Sequence, residues 1–358
     1  MASLLWRRIR ERGLAVVSVM GMTKNTGKTV ALNHLLSQAA ADAVAVGLTS
    51  IGRDGEDRDA VFSIPKPPVV VWPGTVVATA RDTLQRTKVR TKPLGASGID
   101  SPMGEIVLVK ALDHGEMEVA GPSRSADQRR AIELLQRCGA AQVFLDGALG
   151  RSQHASPALA DGVVLATGAA LGGGLGDVLR KTRERLAILS IPEADAAWRA
   201  HTAALFAQSG VGLFAADGRG LWQAPIASLN AGDELLAHDH PQAAAVAVTG
   251  AVGRRLWAAL LTLAERHPGL AVMVADGTRL FVDAADLAAL ASRGARLAAW
   301  RGIRLAGITV NPFSPLGGHL DAAELLAAAR DAFPQHAVAD VVLEAPASER
   351  PTHGPAAA

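Results

Sequence analysis

A single cysteine, Cys138, stands in 358 residues. No internal disulfide can form, and no cysteine-based metal cluster can be built. Its place near the end of a helical stretch, 125–138, predicts a buried thiol rather than a nucleophile. Tyrosine is absent and alanine very frequent, which reads as coding bias and not as a functional signal. An excess of charge is lacking too: Lys and Arg total 36 against 34 Asp and Glu, a net charge of +2. The arginines are scattered rather than striped, so there is no electrostatic footprint for nucleic acid. The patch Arg7-Arg8-Ile9-Arg10 is offset by Glu11 and reads as a solvated helix face. No apolar run approaches the roughly 20 residues of a membrane span. The apolar run behind the N-terminal arginines spans only about seven residues and ends in a glycine-containing loop, unlike a signal peptide. These absences predict a cytoplasmic protein with no nucleic-acid and no membrane partner. The ten histidines show no paired metal spacing, and no Ser-His-Asp order is legible. His238 and His240, which flank Asp239, read as part of a polar surface loop.

What is present is globular: 49% apolar and 20% charged residues, in a chain long enough for one large or two medium domains. Short apolar runs at 14–19, 44–48, 69–71, 142–145 and 162–166 alternate with helical patterns. Residues 4–12 read as a short amphipathic helix, 126–138 as a helix and 177–189 as a longer one. Residues 106–111 and 117–120 look like a hairpin around Asp113-His114-Gly115. Runs at 211–215, 221–224 and 232–237 suggest a small β-rich insertion. The strand–helix rhythm returns from 244, with strands at 245–248, 270–274, 307–310 and 338–343. Repeated βα units imply a mostly parallel sheet covered by helices, an α/β fold. The expected division is a nucleotide-binding domain over 1–190, a β-rich linker or insertion over 191–243, and a C-terminal α/β region over 244–358.

The richest segment is Gly21-Met22-Thr23-Lys24-Asn25-Thr26-Gly27-Lys28-Thr29, set between an apolar strand and a helix beginning near Val30. Strand, glycine loop, Gly-Lys-Thr and helix form the layout of a phosphate-binding P-loop. Its chemistry needs each part. Backbone N–H groups of the loop and of the helix N-terminus point at phosphates. Gly27 permits close approach, Lys28 reaches the β- and γ-phosphates, and Thr29 holds Mg²⁺. The expected nucleotide contacts are Gly21, Thr23, Lys24, Asn25, Thr26, Gly27, Lys28, Thr29 and Val30. The common pattern has its first glycine six residues before the lysine, where this chain has Met22; Gly21 stands seven before. An ordinary strand-to-helix turn with a solvated Lys28 is the alternative.

Val143-Phe144-Leu145-Asp146-Gly147 is a Walker-B-like element, an apolar strand delivering one carboxylate at its end. Asp146 is expected to bind Mg²⁺ and serve catalysis with Lys28; capping of the next turn is the plainer reading. Asp54 and Glu56, after the second strand, sit where a carboxylate can position water or a substrate hydroxyl. A solvated polar turn explains them equally well. Arg151 follows the Asp146 strand and is a candidate for stabilising phosphoryl charge or a structural residue. Gly172-Gly173-Gly174 reads as a loop at the same sheet edge.

The longer loop spacing resembles the G-T-D-T-x-V-G-K-T loop of dethiobiotin synthetase and other MinD-like P-loop proteins. Lys24 departs from their signature lysine, lying four rather than five residues before Lys28. Asn311-Pro312 resembles the position where that group places an adenine-reading Asn, but lies very late in this chain. Ser18 to Thr29, the run Gly47 to Glu56, Val119 to Ser123, Asp146 to Ala148 and Asp161 to Ala169 together resemble the P-loop subunit of the lysine 5,6-aminomutase reactivase. The likeness is clearest over roughly 14–190, and Thr49-Ser50-Ile51-Gly52-Arg53-Asp54-Gly55-Glu56 is its most distinctive piece. It implies a chaperone-like ATPase that uses ATP and Mg²⁺ to exchange damaged for intact adenosylcobalamin. The implied partners are a second reactivase ATPase subunit and an adenosylcobalamin-dependent aminomutase. Switch segments are then expected at 49–59 and 147–156. The rival reading is an ATP-dependent ligase or small-molecule kinase resembling dethiobiotin synthetase. A nucleotide-binding regulatory subunit without turnover is a third.

Overall fold

Alternating short strands and helices fill the computed structural model of the protein, which describes residues 2–50, 68–147 and 156–344. The chain divides into two units, one made of 1–182 and 305–358 and the other of 183–304. Unit one begins with α1 (Leu4–Glu11), β1 (Val16–Gly21), α2 (Lys28–Ala41), β2 (Val46–Ser50), β3 (Val69–Val71) and β4 (Val76–Ala80). It continues with α3 (Arg81–Leu84), β5 (Thr91–Ala96), β6 (Ile106–Ala111), β7 (Gly115–Met117), α4 (Ser125–Arg137), β8 (Gln142–Asp146) and β9 (Gly162–Gly168). Helix α5 (Gly174–Leu189) runs across the division. Unit two holds α6 (Ala196–Gln208), β10 (Val211–Ala215), β11 (Gly220–Ala224), α7 (Ala231–Ala237), β12 (Ala243–Val248), α8 (Arg254–Arg266), β13 (Ala271–Val274), α9 (Ala284–Ser292) and β14 (Arg296–Ala299). The chain then returns to unit one through β15 (Leu305–Asn311), α10 (Ala322–Ala332) and β16 (Val338–Ala339).

Unit one is built on a nine-stranded sheet in the order β16-β15-β9-β1-β8-β2-β4-β6-β5. From β16 to β4 every pairing is parallel; β6 and β5 close that edge antiparallel. Strands β1, β2, β8 and β9 are almost wholly buried because helices cover both faces, which is why they read as unbroken apolar runs. Alternate side chains divide between two cores. Val17, Val19 and Phe144 pack with Trp6, Leu32, Leu35 and Leu36 of α1 and α2. Val16, Val143 and Leu145 pack with Ile132 and Leu135 of α4. Burying one such leucine or phenylalanine stabilises the fold by about 1.5–3 kcal/mol. Parallel pairing places the C-terminal ends of β1, β8, β2, β9 and β15 along one edge. The chain leaves β1 toward β2 on one side and later fills β9 and β15 on the other, and such a reversal of strand order is where α/β sheets open a crevice.

Unit two has a five-stranded sheet, β11-β10-β12-β13-β14, parallel over β12–β14 and antiparallel at β10. Helix α8 buries Leu256, Trp257, Leu260, Leu263 and Ala264 at helical spacing against one face. Phe214, Ala245, Ala247 and Met273 pack on the other with Leu205.

The expected helices at 4–12, 126–138 and 177–189 correspond to α1, α4 and α5. Other expectations are corrected. Residues 106–120 do not form a hairpin: β6 has both edges filled by β4 and β5, so β7 pairs with β3 instead. Residues 232–237 are helical, as α7, where Asp233 and Glu234 lie in the first turn and Leu235 turns inward. The last strand covers only Val338–Ala339. The contact boundaries also fall elsewhere than at 190 and 243, because β15 pairs with β9 and carries the segment from 305 back into the large sheet. Cys138 caps α4 and is half-buried rather than buried. Among the described residues no helix is long and apolar enough to cross a membrane.

Candidate functional site

Strand β1 ends at Gly21 and α2 begins at Lys28, so the loop 22–27 lies at the C-terminal edge of the large sheet. Its path is fixed from several sides. The Met22 N–H donates to the Ala166 carbonyl of β9 at 2.9 Å. The Thr26 hydroxyl, almost fully buried, donates to the Thr23 carbonyl at 2.9 Å. Asn25 and Gly27 both take the left-handed backbone region, at φ of 63° and 86°. At Gly27 that conformation suits only glycine well, and a Cβ there would stand 3.1 Å from the Asn311 Cβ. Gly27 is also the N-cap of α2 and supplies no side-chain acceptor to the first turn. The N–H groups of that turn are the kind that anions seek.

Lys28 points across the sheet edge. Its ammonium group donates to the Asp146 carboxylate and to the Gly147 carbonyl. The side chains of Lys28 and Asp146 are only 16% and 7% exposed, so this is a largely desolvated pair. Asp146 arrives there because β8 lies beside β1, with Val19 opposite Asp146. The Gly147 N–H donates to the Val19 carbonyl at 3.1 Å, which turns the chain immediately beyond the carboxylate. Thr29 is buried at the second position of α2. Two of the residues expected to act together, Lys28 and Asp146, are therefore in direct contact.

A second cluster borders Asp146. Ser50, the last residue of β2, stands opposite Asp146 in the parallel register. Its hydroxyl donates to the Val119 carbonyl at 2.7 Å and accepts from the Gly121 N–H at 3.1 Å. The Gln128 amide nitrogen donates to the carbonyls of Ser50 and Pro122 at 2.6 and 2.7 Å. Gln128 is 1% exposed, a fully buried side chain on α4. A side chain at 121 would fall on the Ser50 carbonyl, so the close crossing requires glycine there. Thr49-Ser50 and Val119 to Ser123, picked out in the sequence as parts of one pattern, thus meet beside Asp146. Nothing in the sequence marks Gln128: a Gln on an amphipathic helix reads as solvated.

Asn311, at the end of β15, is tied to the loop before Lys28. Its amide nitrogen donates to the Asn25 carbonyl at 2.9 Å, and its oxygen accepts from the Phe313 N–H at 3.2 Å. It braces the loop. Asp54, Glu56, Arg151 and Ser152 lie outside the described residues. Among the described residues no three His, Cys, Asp or Glu side chains gather to hold a metal ion. Mg²⁺ does not require such a cage, since it usually keeps waters and takes one or two carboxylates besides substrate phosphates. Thr29 and Asp146 fit that demand by chemical type.

Comparison of the chain with protein-family models, with curated proteins and with solved structures finds no match.

Proposed function

We propose that unit one is a P-loop nucleoside triphosphatase, and that the chain is one of two ATPase subunits of a reactivase for an adenosylcobalamin-dependent aminomutase. The observation that carries the nucleotide reading is the Lys28–Asp146 pair behind a left-handed Gly27 at the head of α2. A buried ammonium and carboxylate hold each other at the sheet edge where α2 begins without a side-chain cap. Bound Mg-ATP would supply the phosphoryl anhydride whose cleavage drives the cycle. Lys28 would exchange Asp146 for phosphate oxygens, which releases the carboxylate to hold Mg²⁺ with Thr29. The loop and first-turn N–H groups, from Thr23 to Val30, would bind the remaining phosphate charge. Breaking the Lys28–Asp146 pair on binding makes the site respond to its occupant. Ser50 and Gln128 tie Asp146's neighbour strand to the 119–122 segment, a route by which that response reaches beyond the site. A full two-state shift by such a device needs roughly 5.5 kcal/mol of differential binding.

The reactivase assignment rests on the sequence resemblance over roughly 14–190. Its test is recovery of a lysine or ornithine aminomutase inactivated by turnover. This chain and the second subunit are added with Mg-ATP and fresh adenosylcobalamin, beside Lys28→Ala. The reading expects recovery that needs both ATP and Lys28. ADP release that depends on a small acceptor, with a phosphorylated product and no recovery, would replace it with the ligase or kinase reading.

A further inference from the structure

The loop after β15 has an unusual make-up. Residues 312–320, Pro-Phe-Ser-Pro-Leu-Gly-Gly-His-Leu, contain no Asp, Glu, Lys or Arg. Gly317 and Gly318, at φ of 84° and 75°, turn the chain so that His319 comes back against Phe313. The two rings stack, with centroids 4.7 Å apart and planes 19° from parallel. The Ser314 N–H donates to His319 Nδ1 at 3.1 Å, which fixes the imidazole orientation. Phe313 nevertheless remains 50% exposed. A flat aromatic surface, stacked from one side and open to solvent, is thus held beside the phosphate loop. The link is direct, because Asn311 touches the loop at Asn25 and Gly27 and accepts from the Phe313 N–H.

We propose that Phe313, backed by His319, is the stacking platform for the base of a purine nucleoside triphosphate. The inference rests on the phosphate-site reading above and adds the base to it. Aromatic rings stack on any nucleobase because every base has a π-face, and larger purines gain more area than pyrimidines. The absence of charge in 312–320 suits a neutral base rather than a second phosphate group.

The test is equilibrium dialysis of the full chain with Mg²⁺ and ATP, GTP, CTP or inorganic tripolyphosphate. Wild type, Phe313→Ala, Phe313→Trp and Lys28→Ala are compared. The proposal expects ATP and GTP to bind wild type more tightly than CTP. Phe313→Ala loses roughly 5- to 100-fold in ATP and GTP affinity and nothing for tripolyphosphate, and Phe313→Trp restores binding. Unchanged ATP affinity in Phe313→Ala, with binding abolished in Lys28→Ala, overturns the base platform and leaves the phosphate site standing. CTP binding as tight as that of ATP and GTP overturns the purine assignment. Failure of wild type to bind both ATP and tripolyphosphate overturns the phosphate site and the platform together.

Discussion

The side-chain amide of Asn311 donates to the main-chain carbonyl of Asn25 at 2.9 Å, although 286 positions separate them in the chain. The last long strand of the large sheet thereby braces the loop that precedes Lys28. Asn311→Ala removes that hydrogen bond and is expected to cost about 0.5–1.5 kcal/mol of loop stability. ATP and GTP affinities should fall together, because a brace acts on the loop before Lys28 and not on the base. Titration of both nucleotides checks this; a changed ATP-to-GTP ratio would make Asn311 a base reader after all.

Gly27 carries the loop through a left-handed turn against the Asn311 side chain. Gly27→Ala forces a Cβ into that conformation at a cost of roughly 1–2 kcal/mol, with crowding of Asn311 added. The fold should survive, since the loop is local. Hydrogen exchange should show faster opening at 22–30 and little change in β8 or β9.

How much of this was legible in the sequence depends on how local each signal is. Strand, glycine loop, Lys28 and helix are contiguous, so one stretch of sequence contains the whole element. Asp146 was legible because a carboxylate ending an apolar strand is a short pattern too. The place of the 305–344 segment in the large sheet is not legible, because pairing of β15 with β9 is a long-range event across all of unit two. Residues 232–237 read as part of a β-rich insertion because six residues are too few to separate the helical period from the strand period. The Ser50–Gly121–Gln128 cluster joins three separate segments, and nothing local marks Gln128 as buried.

That cluster is a stability element as well. Gln128→Leu keeps the approximate volume but leaves the Ser50 and Pro122 carbonyls without their amide donor. An unpaired buried group costs about 1–3 kcal/mol. The expected result is a lower denaturation midpoint, with hydrogen exchange loosened at 46–50 and 119–128. Unchanged protection there would show the cluster to be dispensable.

Two carboxylates, Asp239 in one unit and Asp340 in the other, should respond to acid in opposite senses. Burial alone would raise the Asp239 carboxyl, but hydrogen bonds and charge from Arg266 and His267 outweigh it and hold it below its ordinary value. Its contribution is complete above the unfolded value of about 3.9 and is lost as pH falls through the lower folded value. Burial raises Asp340, and bonds from the Leu343 and Val342 N–H groups offset this only in part. Keeping Asp340 ionised therefore costs stability at neutral pH, and the cost vanishes as pH falls through its raised folded value. Asp239→Asn should weaken protection around 239–267 at pH 7 but not in strong acid. Asp340→Asn should strengthen 338–344 at pH 7 and do nothing once the wild-type carboxyl is protonated. Peptide-resolved exchange across a pH series reads both.

The central claim is that Lys28 and Asp146 trade each other for a nucleotide and its metal. Isothermal titration of the full chain with Mg-ATP, alongside Lys28→Ala and Asp146→Asn, tests it most directly. The account predicts binding by wild type, none measurable by Lys28→Ala, and binding retained by Asp146→Asn. Hydrolysis by Asp146→Asn should fall by about 10²- to 10³-fold, the size of losing one transition-state contact. Wild-type affinity for Mg-ATP in Lys28→Ala would contradict the account outright.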